Sequence, residues 1–466
     1  MKKILLLVAI AVSNLANASD LLRVKLDKNE KLQSTFSASI GNGNSVHFTL
    51  VKNTNSKKFL LTPYLIDNTK AIKKLSQFVS ENEFNIISFH SNNEILSIVD
   101  YNSDDKQINF IDFNLSTGAS TSTTKQQKTP FDHLFRLKDK TLLVTLDKKQ
   151  NFLKVQSIGS SDNIKDINIA IPEDKQKLFK KLAEQTPESV NQDEFVKNGS
   201  ISLRKAYAVG DGIIYTFEKD KSETQVLKFD LTKSSDFNLT SISTEEFKSS
   251  KDVSNYLIND NIAFLAVDKE DVKVNLFDIN SAKKVNSLFL KRDLSNLVNQ
   301  ESLSSYIKAA SKSSNKSTLT VNRTDNNKLR FRLDYVNSAN YNYNYNWWYH
   351  QWFFQQMMMQ QQQMMLIHRQ LPTKMGPANE DNELAYFEEW KEEEKKAIEF
   401  TLDIDFKVTG QDDKLIYPEI DKDKYLEKYK NNRTVKQFTS NFENNEMRII
   451  YQDLNSKDIV IGYENL

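Results

Sequence analysis

The chain of 466 residues contains no cysteine. That excludes disulfides, thiolate metal ligands, a cysteine nucleophile, covalent haem attachment and lipid acylation of an N-terminal cysteine. Glycine is scarce, with 10 residues, and proline scarcer, with 7. Gly41 and Gly43 make only half of a G-x-G-x-x-G loop, and there is no Walker-type phosphate loop. A G-x-S-x-G nucleophile elbow and an H-E-x-x-H zinc helix are also missing. Asp421-Lys422-Asp423 lacks the glycine and the terminal glutamate of a calcium loop. Net charge is nearly absent too, because 63 Lys and Arg offset 62 Asp and Glu. No long-range field draws nucleic acid or an anionic membrane to such a chain. The expectation is no cofactor, no nucleic-acid partner and no predicted membrane association.

Long hydrophobic runs are confined to the start of the chain. Lys2 and Lys3 precede an apolar stretch from Ile4 to Val12, and Ala16-Asn17-Ala18 supplies the small residues that a signal peptidase requires. The stretch is too short to span a bilayer, which takes ~20 residues. Residues 1–18 therefore read as a secretory signal peptide. The mature chain is expected to start at Ser19 and to reside in the periplasm, at the cell surface or outside the cell, and not as a lipoprotein.

Short apolar strands separated by polar turns fill most of the chain. Phe84–Phe89, Ile95–Val99 and Ile108–Phe113 form one set, and Leu134–Leu137, Leu142–Leu146 and Phe152–Val155 a second. Ala206–Val209, Ile213–Phe217 and Val226–Phe229 follow, then Tyr256–Ile258, Ile262–Val267 and Val272–Phe277. Their turns hold Asn92-Asn93, Asp139, Gly210-Asp211-Gly212 and Asn259-Asp260-Asn261, residues that tolerate the positive φ of tight hairpins. Partial copies lie at 46–65, 319–336 and 438–463. The turns recur 46 residues apart from Asn93 to Asp139 and 49 apart from Asp211 to Asp260. The wider gap between them contains a predicted helix over 172–185 with Pro172 at its start. Without it the period is that of a propeller blade.

Two of the third strands end in Phe229-Asp230 and Phe277-Asp278, followed by Leu231-Thr232-Lys233 and Ile279-Asn280-Ser281. These endings resemble the outer-strand F-D-x-x-T/S of WD-like and quinoprotein-like β-propellers, over roughly residues 40–340. The resemblance implies an architecture only. The predicted fold is mainly β: a β-propeller-like array of antiparallel hairpin units, six to eight blades, with helical insertions and an α+β C-terminal part. A β-sandwich or irregular β-rich domain is the alternative. Predicted helices cover 293–311 and 381–399, with another at 420–430. The domain reading is a signal peptide at 1–18, a propeller-like domain at 19–340, an insertion at 341–375, and a helix plus β-hairpin tail at 376–466 that is a candidate to close the propeller.

The insertion has the most unusual composition in the chain. From Tyr341 to His368 there is no Lys, Arg, Asp or Glu, and the stretch from Trp347 to Met365 holds three of the four Trp and five of the eight Met. Aromatic residues and Met concentrate at interface cores, and Met adapts to varied partners. The candidate contact residues are Trp347, Trp348, Tyr349, Trp352, Phe353, Phe354, Met357, Met358, Met359, Met364 and Met365. The expected partner is another protein or a second copy of the chain. Other readings are a low-complexity tract without a defined partner, and a soft-metal site for Cu(I) using Met357, Met359, Met364, Met365 and His368.

Two further constellations contain residue types that could carry chemistry. His47, His90 and His133 are each 43 residues apart, as equivalent blade positions converging on an axial metal would be. Their registers differ, however: His90 lies three residues before its turn and the others six, and an odd offset reverses the face of a strand. Asp403 and Asp405 are expected on one face of a strand, where a solvated face is a simpler role than acid–base chemistry. No catalytic residue is assigned. The reading is an exported, non-enzymatic binding or scaffolding protein. An exported hydrolase or lyase acting on a polymer at the propeller face is the alternative, and copper handling is the third.

Overall fold

A computed structural model describes residues 19–337, 397–409 and 426–465, with short breaks at 42, 93, 103–104, 128–130, 138, 186, 191–201, 221, 234–236, 325, 427, 430 and 444–445. The signal peptide and the 341–375 segment lie outside the described residues. Runs such as Asn261–Val267 carry apolar side chains at nearly every position instead of alternating. That pattern suits strands covered on both faces, and this strand is buried from Ile262 to Val267.

Seven sheets follow one another along the chain. The first strand, β1 (Ser19–Val24), stands apart from the sheet that follows it. Blade 1 contains β2 (Glu30–Gly41), β3 (Asn44–Asn53), β4 (Phe59–Ile66), β5 (Ile72–Lys74) and β6 (Phe78–Ser80). Blade 2 contains β7 (Ile86–Ser91), β8 (Ile95–Asn102), β9 (Gln107–Asn114) and β10 (Ser120–Gln126). Blade 3 is β11 (His133–Arg136), β12 (Thr141–Asp147), β13 (Phe152–Ser160) and β14 (Asn163–Ala170). Blade 4 has five strands: β15 (Glu188–Val190), β16 (Lys205–Val209), β17 (Gly212–Asp220), β18 (Glu223–Asp230) and β19 (Phe237–Ser243). Blade 5 is β20 (Asp252–Ile258), β21 (Asn261–Val267), β22 (Val272–Asp278) and β23 (Lys284–Phe289). Blade 6 is β24 (Asn315–Arg323), β25 (Leu329–Asn337), β26 (Ile398–Leu402) and β27 (Val408–Thr409). Blade 7 combines β28 (Val435–Glu443), β29 (Glu446–Asp453) and β30 (Ile459–Asn465) with β1, which pairs antiparallel with β30. The two ends of the described chain thus share one sheet. Among the described residues this is a β-propeller-like arrangement of seven units, antiparallel throughout except where β15 pairs parallel with β16.

Apolar packing joins neighbouring blades. Phe36 of blade 1 meets Phe89 of blade 2 edge to face at 5.3 Å. Val155 and Phe229 share a cluster across blades 3 and 4, as do Phe264 and Phe331 across blades 5 and 6. Ile450 and Ile461 of blade 7 pack with Leu32 and Val51 of blade 1. Full burial of each such side chain is worth ~1.5–3 kcal/mol, which lets a chain without disulfides hold its shape. The outer strands are polar because one side of each meets water: β10 (Ser-Thr-Ser-Thr-Thr-Lys-Gln) is mostly exposed.

Helices occur near the expected places, with corrected boundaries. The first covers Glu173–Glu184, with Pro172 at its N-cap position. The expected helix over 293–311 divides into a turn of helix at Leu290–Asp293 and a helix at Gln300–Ala310. The second starts late because the Asn299 side chain accepts the backbone N–H groups of Glu301 and Ser302, fixing the helix start there. The helix expected over 381–399 cannot extend to its predicted end, since Ile398 and Glu399 belong to β26. Its remainder, and most of 420–430, lies outside the described residues.

Candidate functional site

Apart from the short β15, which runs parallel to β16 in blade 4, strand direction alternates across each blade, so the links between strands divide between two ends of the array. Turns joining first to second and third to fourth full strands emerge at one end. Links from second to third strands, and from one blade to the next, emerge at the other. The first end carries only short turns. Many are closed by an acidic or amide side chain that captures the backbone ahead of it. Asp67 accepts from the N–H of Thr69 and Ala71, Asn114 from Ser116 and Thr117, and Asp278 from Asn280 and Ser281. Asp230 holds both the N–H and the hydroxyl of Thr232. The Phe-Asp endings singled out in the sequence are therefore turn-closing elements.

Asp403 plays the same part, which corrects its placement on a strand. Its carboxylate accepts the Lys407 N–H at 2.8 Å, and its carbonyl accepts the Phe406 N–H at 3.0 Å. Asp405 sits within this turn, and Phe406 takes a positive φ of 62°. The two carboxylates do not share a strand face.

The opposite end carries the long links. The Glu173–Glu184 helix lies between blades 3 and 4, and the Gln300–Ala310 helix between blades 5 and 6. The connection from Asn337 to Ile398, which includes the aromatic and Met-rich segment, joins the second and third strands of blade 6 and so opens at this end. Its root is firmly built. Leu333 is in register with Ile398, and Phe331 stacks on Phe400 with ring centroids 5.2 Å apart and planes 9° apart. On the other face of the hairpin, Glu399 pairs with Arg330 and, at 3.3 Å, with the buried Arg332.

Every contact residue expected from the sequence, from Trp347 to Met365, lies outside the described residues. The same is true of Met357, Met359, Met364, Met365 and His368 as candidate copper ligands. The three regularly spaced histidines are described, and they do not converge. Each is buried at a junction between blades. The His47 Nδ1 pairs with the Ser37 hydroxyl at 2.7 Å, and that hydroxyl bonds Thr439 of blade 7. His90 reaches Thr141 at 3.1 Å and the Gly159 carbonyl of blade 3 at 2.9 Å. His133 bonds Ser189 of blade 4 at 2.9 Å. Among the described residues, no three His, Asp or Glu side chains gather as a metal centre requires.

Burial holds the imidazole of His133 down to about 3. The same cause, reinforced by the charge of Arg448, holds His47 down to about 3. Both rings are neutral in the fold and titrate near 6.5 when unfolded. Their contribution to stability is complete above pH 6.5 and is lost as pH falls toward 3, because only the unfolded chain takes up their protons in that window. Unfolding free energy measured between pH 6 and 4 should therefore drop steeply. His133→Phe should flatten that slope by nearly one proton; an unchanged slope would contradict the assignment.

Sequence reasoning passed over three buried cations. Lys205 is fully buried on β16, its ammonium held by the carbonyl of Asn255 and, at 3.3 Å, by the Asn255 side chain. Burial pulls it down to about 7, against the opposing charge of Glu188 on the parallel neighbour β15. Arg332 and Arg448 are the others. The available signal was a basic residue inside an apolar run, as in Arg-Phe-Arg-Leu and Met-Arg-Ile-Ile.

No protein-family model matches the chain, and no curated protein matches its sequence. Among solved structures it is similar to the WD40 domain of SCAP from fission yeast, at 8% identity over 96% of this chain and 98% of that one, with a TM-score of 0.28. It is also similar to cobalt-substituted Synechocystis apocarotenoid oxygenase, at 11% identity over 57% of this chain and a TM-score of 0.28. The Dos1 propeller is another, at 11% identity over 66% of this chain and 72% of that one, again with a TM-score of 0.28. The chain spans about 63% of the length of the first apocarotenoid oxygenase structure it matches. Likeness this slight carries no functional argument. The propeller-like class rests on the strand pairing itself. Among the described residues, no helix is long and apolar enough to cross a membrane.

Proposed function

We propose that this chain is an exported, non-enzymatic binding or scaffolding protein whose contact element is the aromatic and Met-rich segment 341–375. It captures a protein partner or a second copy of itself. The observation that supports this reading is the sidedness of the links. The connection containing the segment departs from strands at the end that bears both longer helices, while the described links at the other end are short turns. A photo-crosslinking residue at Lys308, exposed on the Gln300–Ala310 helix, should capture the partner or second copy. The same group at Lys283, exposed in the turn between β22 and β23, should not. Equal capture from both positions would count against the proposal.

Export is part of the proposal and has its own test. Cleavage after Ala18 would leave the closing strand entire, since Ser19 is the first residue of β1 and pairs with Tyr463. N-terminal sequencing of exported protein should begin at Ser19. Mature material that retains Met1 would contradict export by cleavage.

A further inference from the structure

The junction where blade 7 meets blade 1 contains polar atoms that the fold leaves over. His47 on β3 is fully buried, and Asn441 on β28 is 8% exposed. Two bridges bracket them. Thr439, two residues before Asn441 and therefore on the same strand face, bonds Ser37 at 2.8 Å; Ser37 in turn bonds the Nδ1 of His47 at 2.7 Å. Arg448 stands opposite Asn441 in register and donates to Ser45, two residues before His47, at 3.0 Å. At the same junction, the Nε2 of His47 and both amide atoms of Asn441 meet no protein partner among the described residues. Buried polar groups are nearly always satisfied, by protein or by ordered water.

We infer that a structural water molecule sits at this junction and bridges His47 to Asn441. The donor set selects water over an ion. Asn441 presents an N–H donor and a carbonyl acceptor together. An anion drawn by Arg448 would leave the acceptor unmatched. A cation would be repelled by Arg448 and would leave the donor unmatched. Water alone serves both, and keeps a further bond for the His47 ring, close to the three that buried waters typically make. The inference rests on the fold and is independent of the proposed function.

An atomic-resolution crystal structure of the mature protein, grown with bromide in place of chloride, tests it. The expected result is one water within hydrogen-bonding distance of His47 Nε2 and of an Asn441 amide atom, with no anomalous bromide signal there. A bromide peak, a direct bond between the two side chains, or a dry junction would overturn the inference. A second readout uses unfolding equilibria of His47→Phe and Asn441→Leu, alone and combined. If one water couples them, the effect of His47→Phe on the unfolding constant should shrink at least fivefold in the Asn441→Leu background. Equal effects in both backgrounds would also overturn it. Should His47→Phe fail to fold, the diffraction result decides alone.

Discussion

Arg448→Ala should lower the unfolding free energy by about 3–5 kcal/mol, the largest loss expected from a single substitution outside the apolar core. The guanidinium is 1% exposed and reaches from blade 7 into blade 1. It donates to the Ser45 hydroxyl at 3.0 Å and to the carbonyls of Ile66 and Asp67, each at 3.2 Å. Its carboxylate partner Glu446, at 3.6 Å, is more tightly engaged by Lys70 at 2.7 Å. The residue therefore works mainly as a bracket for blade 1 backbone. Truncation removes three charge-assisted bonds and opens a cavity, although the Asp67 carbonyl keeps the Lys70 N–H at 3.1 Å. Arg448→Lys should recover less than half of the loss, because one ammonium cannot reproduce the planar fork that serves three acceptors. Denaturant unfolding of both variants checks this. A loss below ~1 kcal/mol for alanine would mean that the closing junction is held by apolar packing and β1 alone.

The fold was legible where strands are buried on both faces and fell silent where they are not. β16 to β18 and β20 to β22 appear in the sequence as apolar runs between Gly, Asn and Asp turns. The fourth strands escaped detection because they lie at the rim. β10 and β19 are polar or mixed, with no period that separates them from loops. The tail was expected to close the propeller, but the strand it closes on escaped for another reason: the partner of β1 is β30, more than 400 residues away, and nothing local in Leu21-Leu22-Arg23 specifies that edge. The seven-fold count thus emerged only from pairing. For the candidate site, composition identified residues 341–375, and the coordinates supply the position of the root from which they depart. The even spacing of the histidines had no chemical meaning. Each ended at a different kind of junction contact, because equal spacing in sequence does not preserve register when hairpins contain bulges, such as those in β2–β3 and β7–β8.

Deleting residues 347–367 should abolish association while leaving the blades almost as stable as before. The segment contains Trp347, Trp348, Trp352, Phe353, Phe354 and five Met. Each large apolar side chain gains ~1.5–3 kcal/mol when covered, so a dozen left in water would promote aggregation. They require a cover, and the account assigns that cover to a partner or a second copy. The root of the insertion survives the deletion: Leu333 still faces Ile398, and Arg330 and Arg332 still hold Glu399. The decisive measurement compares the mature protein with this deletion by thermal unfolding and by analytical ultracentrifugation or partner capture. The account predicts a melting temperature within about 2 °C of the parent, a change smaller than ~2 kcal/mol in a chain of this size, together with complete loss of association. A sharply lower melting temperature with association retained would show that the segment belongs to the core, and would contradict the central claim.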